Sequence, residues 1–211
     1  MSDPIVTSFV EIPATKKSIG KRSLILGVGV NDAPYVISPS INGKRSTCKF
    51  YSTWHSMLQR CYDTRVLKSR PCYIGCSVIS EWHKFMKFRS WMEKQDWQGN
   101  ALDKDIVIDG NKIYSPETCV FVSQGLNNLL TGCREVDGKL PPGVSFSRRN
   151  NKYKVQCGDG KGGDVFLGYH DSPAEAYTAW RRFKKTIILD IAHQQTNNIV
   201  KCALIARSKN L

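Results

Sequence analysis

The sequence predicts an α+β protein: a ββα unit with flanking helices, followed by a three-stranded antiparallel sheet packed on one helix. Apolar residues recur at helical spacing between residues 50 and 95. Short alternating runs of apolar and polar residues, separated by turns rich in Gly and Asn, then occupy residues 143–170. With 211 residues the chain has room for two small domains.

The first half of the chain opens with a segment, 1–22, that we expect to be flexible, as chain ends often are. Residues 23–30 form a short apolar run typical of a strand. Helical spacing then predicts one helix over 51–62 and a second over 79–95. Their aromatic residues are typical of core packing rather than of a ligand platform. The core candidates are Trp54, Met57, Trp82, Phe85 and Phe88.

The middle of the chain predicts the ββα unit. Residues 102–123 form two short strands around an Asp-Gly-Asn turn, and residues 125–132 form the helix that follows them. A segment bearing Pro and Gly over 134–142 is the predicted hinge between two domains. The first domain is therefore expected at 23–133.

The second domain is expected at 143–190. Its strands are predicted at 143–149, 152–157 and 164–170, with Asn and Gly residues between them. Ser172 is a suitable N-cap for the helix that follows, because Pro173 then takes the first helical position. A C-terminal extension, 191–211, is expected to contain one short helix near 198–207.

Charge is distributed unevenly along the chain, which carries a formal net charge of +13. Residues 1–60 contribute +5, residues 61–138 are balanced, and residues 139–190 contribute another +5. Basic flanks attract a polyanion through counterion release, and an acid-containing middle can hold a divalent cation against that polyanion. The distribution favours a nucleic-acid partner over a plain solvated surface.

The sequence contains no apolar run of the ~18 residues that a membrane span needs, and its N-terminus lacks the pattern of a signal peptide. We therefore expect a cytoplasmic protein. Disulfides are rare in that compartment, so the eight cysteines are either buried thiols or metal ligands. A structural zinc site would draw on Cys61, Cys72, Cys76 and Cys119, although the paired cysteine knuckles typical of such sites are missing.

Residues from Tyr51 to about Thr131 resemble the HNH homing endonucleases of T7-like phages. The resemblance rests on a string of short motifs rather than on any single one. These are Trp54-x-x-Met57-x-x-Arg60-Cys61-Tyr62, Tyr73-Ile74-Gly75-Cys76, Glu81-Trp82 with Phe85 and Phe88, Trp91-Met92, Leu102-Asp103-Lys104-Asp105 and Gly110-Asn111-Lys112-x-Tyr114-Ser115-Pro116-Glu117-Thr118-Cys119. The resemblance implies DNA phosphodiester hydrolysis in the cytoplasm of an infected bacterial cell.

The same resemblance implies a divalent metal, Mg²⁺ or Mn²⁺ rather than Zn²⁺, held by the ββα unit. Asp103 falls at the position of the metal-binding acid, and Asn127 falls at the position of the ligand on the helix. Asp105 is a further candidate ligand. Where the superfamily has a general-base His and an orienting Asn, this sequence has Lys104 and Thr118.

These two departures bear on catalysis, because hydrolysis requires activation of water. Lys104 lies between two acids, so it suits phosphate neutralisation better than proton abstraction. His83, His55 or a metal-bound hydroxide could substitute for the missing base. Alternatively, Asp103 and Asp105 are no more than the solvated face of a hairpin.

Residues from Leu140 to about Asp190 resemble the DNA-binding domain of the APETALA/ethylene-response-factor type. The motifs are Pro142-Gly143-Val144-Ser145-Phe146, Lys152-Tyr153-Lys154-Val155, Phe166-Leu167-Gly168-Tyr169 and Pro173-Ala174-Glu175-Ala176-Tyr177. The resemblance implies a sheet that lies in the major groove of double-stranded DNA.

Strand alternation supports this expectation. It places Lys152, Lys154 and Gln156 on one face and Tyr153, Val155 and Cys157 on the other. Basic side chains and Gln are suited to phosphates and base edges. The predicted DNA-binding residues are Arg148, Arg149, Lys152, Tyr153, Lys154 and Gln156.

Three functions follow from these patterns. The leading hypothesis is a metal-dependent DNA endonuclease, either homing or nicking, that finds its site with the C-terminal sheet. The second is a DNA-binding protein whose HNH scaffold has lost its chemistry. The third is a phage effector that uses the scaffold to bind a host protein.

Overall fold

The computed structural model describes residues 9–131 and 140–211, without the side chain of Thr131. The helices, in chain order, are α1 Lys16–Gly20, α2 Lys49–Tyr62, α3 Thr64–Ser69, α4 Phe85–Met92, α5 Gln124–Thr131, α6 Pro173–Gln194 and α7 Asn198–Lys209. The strands are β1 Ser40–Ile41, β2 Lys44–Arg45, β3 Ser77–Val78, β4 Asn100–Asp103, β5 Ile113–Tyr114, β6 Val120–Ser123, β7 Val144–Ser147, β8 Lys152–Gly158 and β9 Asp164–His170.

These elements belong to two compact units. Unit 1 comprises Met1–Gln95 and Asn111–Glu117, and unit 2 comprises Asp96–Gly110 and Thr118–Leu211. The division does not follow the predicted hinge, of which residues 134–139 lie outside the described part of the chain. The predicted domain at 23–133 therefore contributes residues to both units, and the hinge itself stays a prediction.

The core of unit 1 is built by the two predicted aromatic stripes. Trp54, Phe85 and Phe88 are completely buried, and the Trp54 indole donates a hydrogen bond to the Trp82 carbonyl at 2.7 Å. Met92 is 1% exposed. The prediction that these side chains form core is confirmed.

The predicted helix over 79–95 is interrupted. A 3-10 turn spans Ser80–His83, and α4 begins only at Phe85 because Lys84 is extended. Long-range contacts hold this break in place: Phe85 N–H donates to the Val30 carbonyl, and Met86 N–H donates to the Asp32 carboxylate. Apolar periodicity alone does not reveal such a break.

The predicted strand over 23–30 is wrong. Leu26 and Gly27 have positive φ angles of 50° and 79°, which turn the chain back on itself. The segment makes only isolated bridges, Ile25 with Gly29 and Val30 with Lys84. Arg22, just before this segment, donates hydrogen bonds to the carbonyls of Asn31, Ala33 and Tyr35 at 2.6–3.0 Å.

The predicted strand pair in 102–123 forms, but not around the Asp-Gly-Asn turn. β4 pairs antiparallel with β6, opposing Leu102 to Phe121, and α5 follows directly. The residues after the turn form β5 instead, which pairs in parallel with β3 in unit 1. Tyr114 of β5 is 1% exposed, so β5 contributes a large buried ring.

Unit 2 contains the predicted three-stranded antiparallel sheet, in the order β7-β8-β9. Ser172 caps α6 by accepting from Glu175 N–H, as predicted, but α6 continues to Gln194. One core joins the sheet and helices α6 and α7 to the β4–β6 pair and α5. Its buried members include Ile106, Val120, Leu126, Val155, Trp180, Ile188 and Leu204.

Helix α5 approaches the loop between β8 and β9 closely. A Cβ atom added at Gly125 would overlap the backbone of Gly160 and Lys161. Only glycine allows this contact, so the ββα unit and the C-terminal sheet pack as one body. Among the described helices, none is long and apolar enough to cross a membrane.

Candidate nucleic-acid interface

The acidic loop after β4, residues 103–105, holds the residues predicted to bind metal. Asp103 ends the strand, and its Oδ1 accepts hydrogen bonds from the backbone N–H groups of Asp105 and Ile106, both at 2.8 Å. Its side chain is 7% exposed. Asp103 therefore closes the turn by a local side-chain cap, which explains why an Asp stands at this position.

Burial and the neighbouring Asp105 carboxylate raise the pKa of Asp103 to about 6. The two backbone N–H groups act in the opposite direction but do not outweigh burial. Burial also acts to raise the pKa of Asp105, but the hydrogen bond and charge of Lys104 prevail and lower it. The Lys104 Nζ lies 3.1 Å from Asp105 Oδ2.

Helix α7 braces this loop through Arg207. The guanidinium donates to the Asp105 carbonyl and forms an ion pair with Asp109 at 3.0 Å. From the sequence, residues 191–211 were expected to contribute no more than a short helix. Nothing in the local sequence around Arg207 indicates this contact, because its partners lie about a hundred residues away.

The other predicted catalytic residues are divided between the units. Thr118 is buried and Asn127 is half-buried on α5, and both belong to unit 2 with Asp103 and Lys104. His83 belongs to unit 1, where its Nε2 lies 3.5 Å from the Tyr62 hydroxyl. Its predicted role as a base therefore gains no support from the geometry within either unit.

The arrangement of side chains likewise gives no support to the predicted metal sites. Among the residues that the structure describes, no three His, Cys, Asp or Glu side chains are grouped to hold a metal ion. Cys61 and Cys76 are buried and Cys72 is exposed in unit 1, whereas Cys119 is buried in unit 2. The magnesium, manganese and zinc sites stay predictions.

The basic residues of the C-terminal sheet are arranged as the alternation predicted. Val155 and Cys157 of β8 are 0% and 4% exposed and face the core. Lys152 and Gln156 are exposed and Lys154 is half-buried on the opposite side, which we call the open face. The predicted division of β8 into a core face and an open face is confirmed.

Neighbouring strands extend the open face. Cross-strand pairing places Ser145 of β7 and Tyr169 of β9 on either side of Lys154, and Phe166 of β9 beside Gln156. Phe166 is 50% exposed and Tyr169 is 42% exposed, with ring centroids 5.1 Å apart. An exposed aromatic pair thus lies next to the polar residues of β8.

This aromatic pair was missed at the sequence level for a physical reason. Phe166 and Tyr169 are three residues apart, and strict alternation would put them on opposite faces. A bulge opposite Val155 and Gln156, with Gly168 at a φ of 104°, inserts one extra residue into β9. The bulge brings both rings to the open face.

Of the three other predicted DNA contacts, two lie at the surface and one does not. Arg148 and Arg149 are exposed in the turn between β7 and β8, as a contact with DNA requires. Tyr153 is not on the open face: it pairs with Phe146 across the strands, with ring centroids 5.2 Å apart, on the core side of the sheet. Its predicted role in DNA binding stays a prediction, without support from the geometry of the open face.

Unit 2 also contains a cleft of about 410 Å³ on the other side of the sheet. It lies between α5, the glycine-rich loop 158–163 and α6. Lys184 lines it, 5% exposed, with its Nζ 4.6 Å from the Trp180 ring centroid. The cleft includes none of the predicted catalytic or DNA-binding residues except Gln156.

Comparison with models of known protein families, with curated proteins and with solved structures finds no match for this chain.

Proposed function

We propose that this chain binds double-stranded DNA through the open face of the β7-β8-β9 sheet. The observation that carries the proposal is the strand register, which gathers Lys152, Lys154 and Gln156 beside the Phe166–Tyr169 pair. Arg148 and Arg149 extend the same basic surface at the turn. The face is polar and basic at its centre and apolar at its edge.

Each of these residue types has a partner on duplex DNA. Lysines neutralise phosphates, and the counterions released supply much of the affinity. Arginine is suited to guanine, glutamine to adenine, and an apolar ring to the thymine methyl group. These side chains are not locked in buried ion pairs. They can therefore turn towards DNA without the cost of breaking such a pair.

The test compares two triple variants of the whole chain. Arg149→Ala with Lys152→Ala and Lys154→Ala removes charge from the sheet. Arg182→Ala with Lys185→Ala and Lys209→Ala removes the same charge from exposed positions on the helices of unit 2. Binding to a duplex of about 30 base pairs is followed by fluorescence anisotropy from 50 to 200 mM salt.

Loss of three phosphate contacts lowers the slope of log Kd against log salt by about 2.7 and weakens binding by a factor on the order of 30. The helix variant changes neither value as much. Equal behaviour of the two variants would exclude the open face as the DNA-binding surface. Thermal unfolding of both variants shows whether each is folded.

We further propose, as the second candidate, metal-dependent cleavage of the bound DNA at the acidic loop. Its support is the placement of Asp103 at the end of β4 and of Asn127 on α5, which follows β6 directly. These are the positions that the HNH resemblance assigns to metal ligands. A bound divalent ion would supply Lewis-acid stabilisation of the phosphate and a water of lowered pKa.

Asp103→Asn tests this candidate more cleanly than Asp103→Ala. The amide oxygen of Asn keeps the acceptor for the two backbone N–H groups while removing the negative charge. With supercoiled plasmid and Mg²⁺ or Mn²⁺, the variant loses nicking but keeps DNA affinity, because that affinity resides in the sheet. Full activity of the variant would exclude Asp103 from the catalytic site.

Cleavage assays on the wild-type protein distinguish a nuclease from a protein that only binds DNA. Lys104→His restores the residue type that the resemblance implies as general base, and we expect it to raise the cleavage rate. A wild-type chain inert with both metals, but active once Lys104→His and Thr118→Asn are combined, would identify a DNA-binding protein on a degenerate nuclease scaffold. Absence of DNA binding would favour the host-protein hypothesis.

A further inference from the structure

Unit 1 contains a small exposed hairpin in a segment whose sequence indicates only a turn. Strands β1 and β2 pair antiparallel, with Ser40 opposite Arg45 and Ile41 opposite Lys44. The two turn residues between them, Asn42 and Gly43, have φ angles of 51° and 73°. Two consecutive positive φ angles at Asn-Gly are typical of the type I′ turn, which closes a hairpin with the twist that paired strands require.

The hairpin is short but firmly held at its base. Ser38 and Thr47 share a hydrogen bond between their hydroxyl groups at 2.7 Å, and Arg45 Nε donates to Ser38 Oγ at 2.9 Å. Below them, Cys48 N–H donates to the Ile37 carbonyl, and Cys48 is 1% exposed at the start of α2. The hairpin therefore extends from the core of unit 1 without packing on it: residues 40–47 are all exposed.

The stretch of sequence that contains the hairpin carries mostly basic charge. Residues 9–50 contain seven Lys and Arg and only two acids, Glu11 and Asp32. Both acids are engaged elsewhere, Glu11 in an ion pair with Arg89 at 2.6 Å and Asp32 as the acceptor for Met86 N–H. Lys44 makes no ion pair within the described residues, so its charge is available to a partner.

We infer that this hairpin is a second DNA-contacting element, separate from the open face of the sheet. The inference rests on the proposed function in one respect: it takes duplex DNA as the ligand. A two-stranded β-ribbon fits the width of the major groove, and basic residues on its second strand reach phosphates. Residues 38–47 contain no aromatic side chain, which disfavours single-stranded nucleic acid, because that ligand is bound by base stacking.

The first test uses charge-matched double variants of the full chain. Lys44→Ala with Arg45→Ala removes the basic strand of the hairpin, and Lys87→Ala with Lys94→Ala removes two exposed lysines elsewhere in unit 1. Anisotropy titrations with a duplex of about 30 base pairs are run from 50 to 200 mM salt. Because Arg45 also contributes a hydrogen bond to the hairpin base, Lys44→Glu alone serves as a variant that leaves the base intact.

We expect the hairpin variant to bind about tenfold more weakly than wild type, with a slope of log Kd against log salt lower by about 1.8. Lys44→Glu weakens binding by at least as much, because it adds repulsion to the loss of a contact. Affinity and slope equal to those of the Lys87 and Lys94 control would overturn the inference. Both hairpin variants are also titrated with polyglutamate. If they lose binding to polyglutamate while their DNA binding is unchanged, the inference is overturned in favour of an acidic protein partner.

The triple sheet variant, measured in parallel, separates this inference from the proposed function. If only the sheet variant weakens binding, the sheet proposal stands and the hairpin inference fails. If only the hairpin variant does, DNA binding stands but the open face is not its surface. Weakening by both variants supports two separate contacts.

Discussion

The acidic loop after β4 and the open face of the C-terminal sheet both carry charged residues predicted to act on DNA, yet they use their charges in opposite ways. In the loop, Asp103 accepts two backbone hydrogen bonds, Lys104 neutralises Asp105, and Arg207 braces the turn. On the sheet, the basic side chains lie at or near the surface, and an ion pair there, Lys152 with Asp171 at 2.9 Å, is exposed on both sides.

This difference follows from burial. A charge removed from water must be matched by nearby partners, because its desolvation costs several kcal/mol, whereas an exposed pair is worth about 0–1 kcal/mol. The loop therefore satisfies its own charges, and a ligand would have to compete with internal bonds. The basic side chains of the sheet lie closer to solvent, which is why we place DNA binding first of the two proposed functions.

The largest expected effect concerns the cost of ionising Asp103. Its pKa in the folded protein, about 6, lies above the ordinary value of 3.8, so the folded state binds the proton more tightly than the unfolded state does. Stability then falls as pH rises from about 3.8 to 6, by roughly 3 kcal/mol in all. Asp103→Asn cannot ionise and keeps the turn acceptor, so we expect it to be more stable than wild type at pH 7.5 and equal to it near pH 3.5.

Urea unfolding at both pH values measures this difference. Lower stability of Asp103→Asn at pH 7.5 would mean that the surroundings stabilise the carboxylate, and would contradict the raised pKa of Asp103.

The next-largest effect tests whether the acidic loop and the open face depend on the same hydrophobic core of unit 2. Gly125→Ala places a methyl group against the backbone of Gly160 and Lys161, and we expect a loss of about 1–3 kcal/mol from overpacking. Gly158→Ala is the matched control, because its added Cβ would meet Leu129 at an ordinary 3.7 Å.

Thermal unfolding followed by circular dichroism gives the comparison. The same two variants are titrated with DNA near their melting temperatures, where Gly125→Ala should also bind more weakly. Equal melting temperatures for the two variants would show that α5 and the β8–β9 loop are not in close contact.

A smaller effect is expected from Lys104→Met, which leaves the Asp105 carboxylate without its ion-pair partner. Asp105 is one-third exposed, so solvent moderates the loss to about 1–2 kcal/mol at neutral pH. Because the pKa of Asp105 is lowered in the folded protein, this contribution is present above the ordinary pKa and is lost as pH falls through the folded value.

Urea unfolding of Lys104→Met is therefore measured at pH 7 and near pH 2.5, with Lys185→Met on the exposed surface of α6 as the control. A loss that is the same at both pH values would come from side-chain packing and not from charge.

The smallest expected effect concerns the surface ion pair of the sheet. Asp171→Asn releases Lys152 from its surface ion pair, which should tighten DNA binding two- to threefold and change stability by less than about 0.5 kcal/mol. Asp190→Asn, at an exposed position on α6, removes the same charge away from the sheet. Asp171→Asn must exceed that control, because a general change in net charge affects both variants equally.

Burial also explains which elements could be predicted from the sequence. Helix α2, the N-cap at Ser172 and the two faces of β8 were predicted from local spacing. Each depends on which residues within one element are buried, and spacing records that directly. The extra residue in β9 was not predicted, because a bulge is visible only in the pairing of two strands.

The sequence by itself determined the α+β composition, the aromatic core of unit 1 and the basic alternation of β8, since these follow from side-chain chemistry repeated at the period of a helix or a strand. Only the tertiary structure decided that β5 leaves β4 for β3, that Phe166 and Tyr169 share the open face, and that Lys104 and Arg207 bind the acidic loop internally. Those outcomes depend on residues distant in sequence, and the free energy of such contacts is set by burial at the place where the chain brings them together.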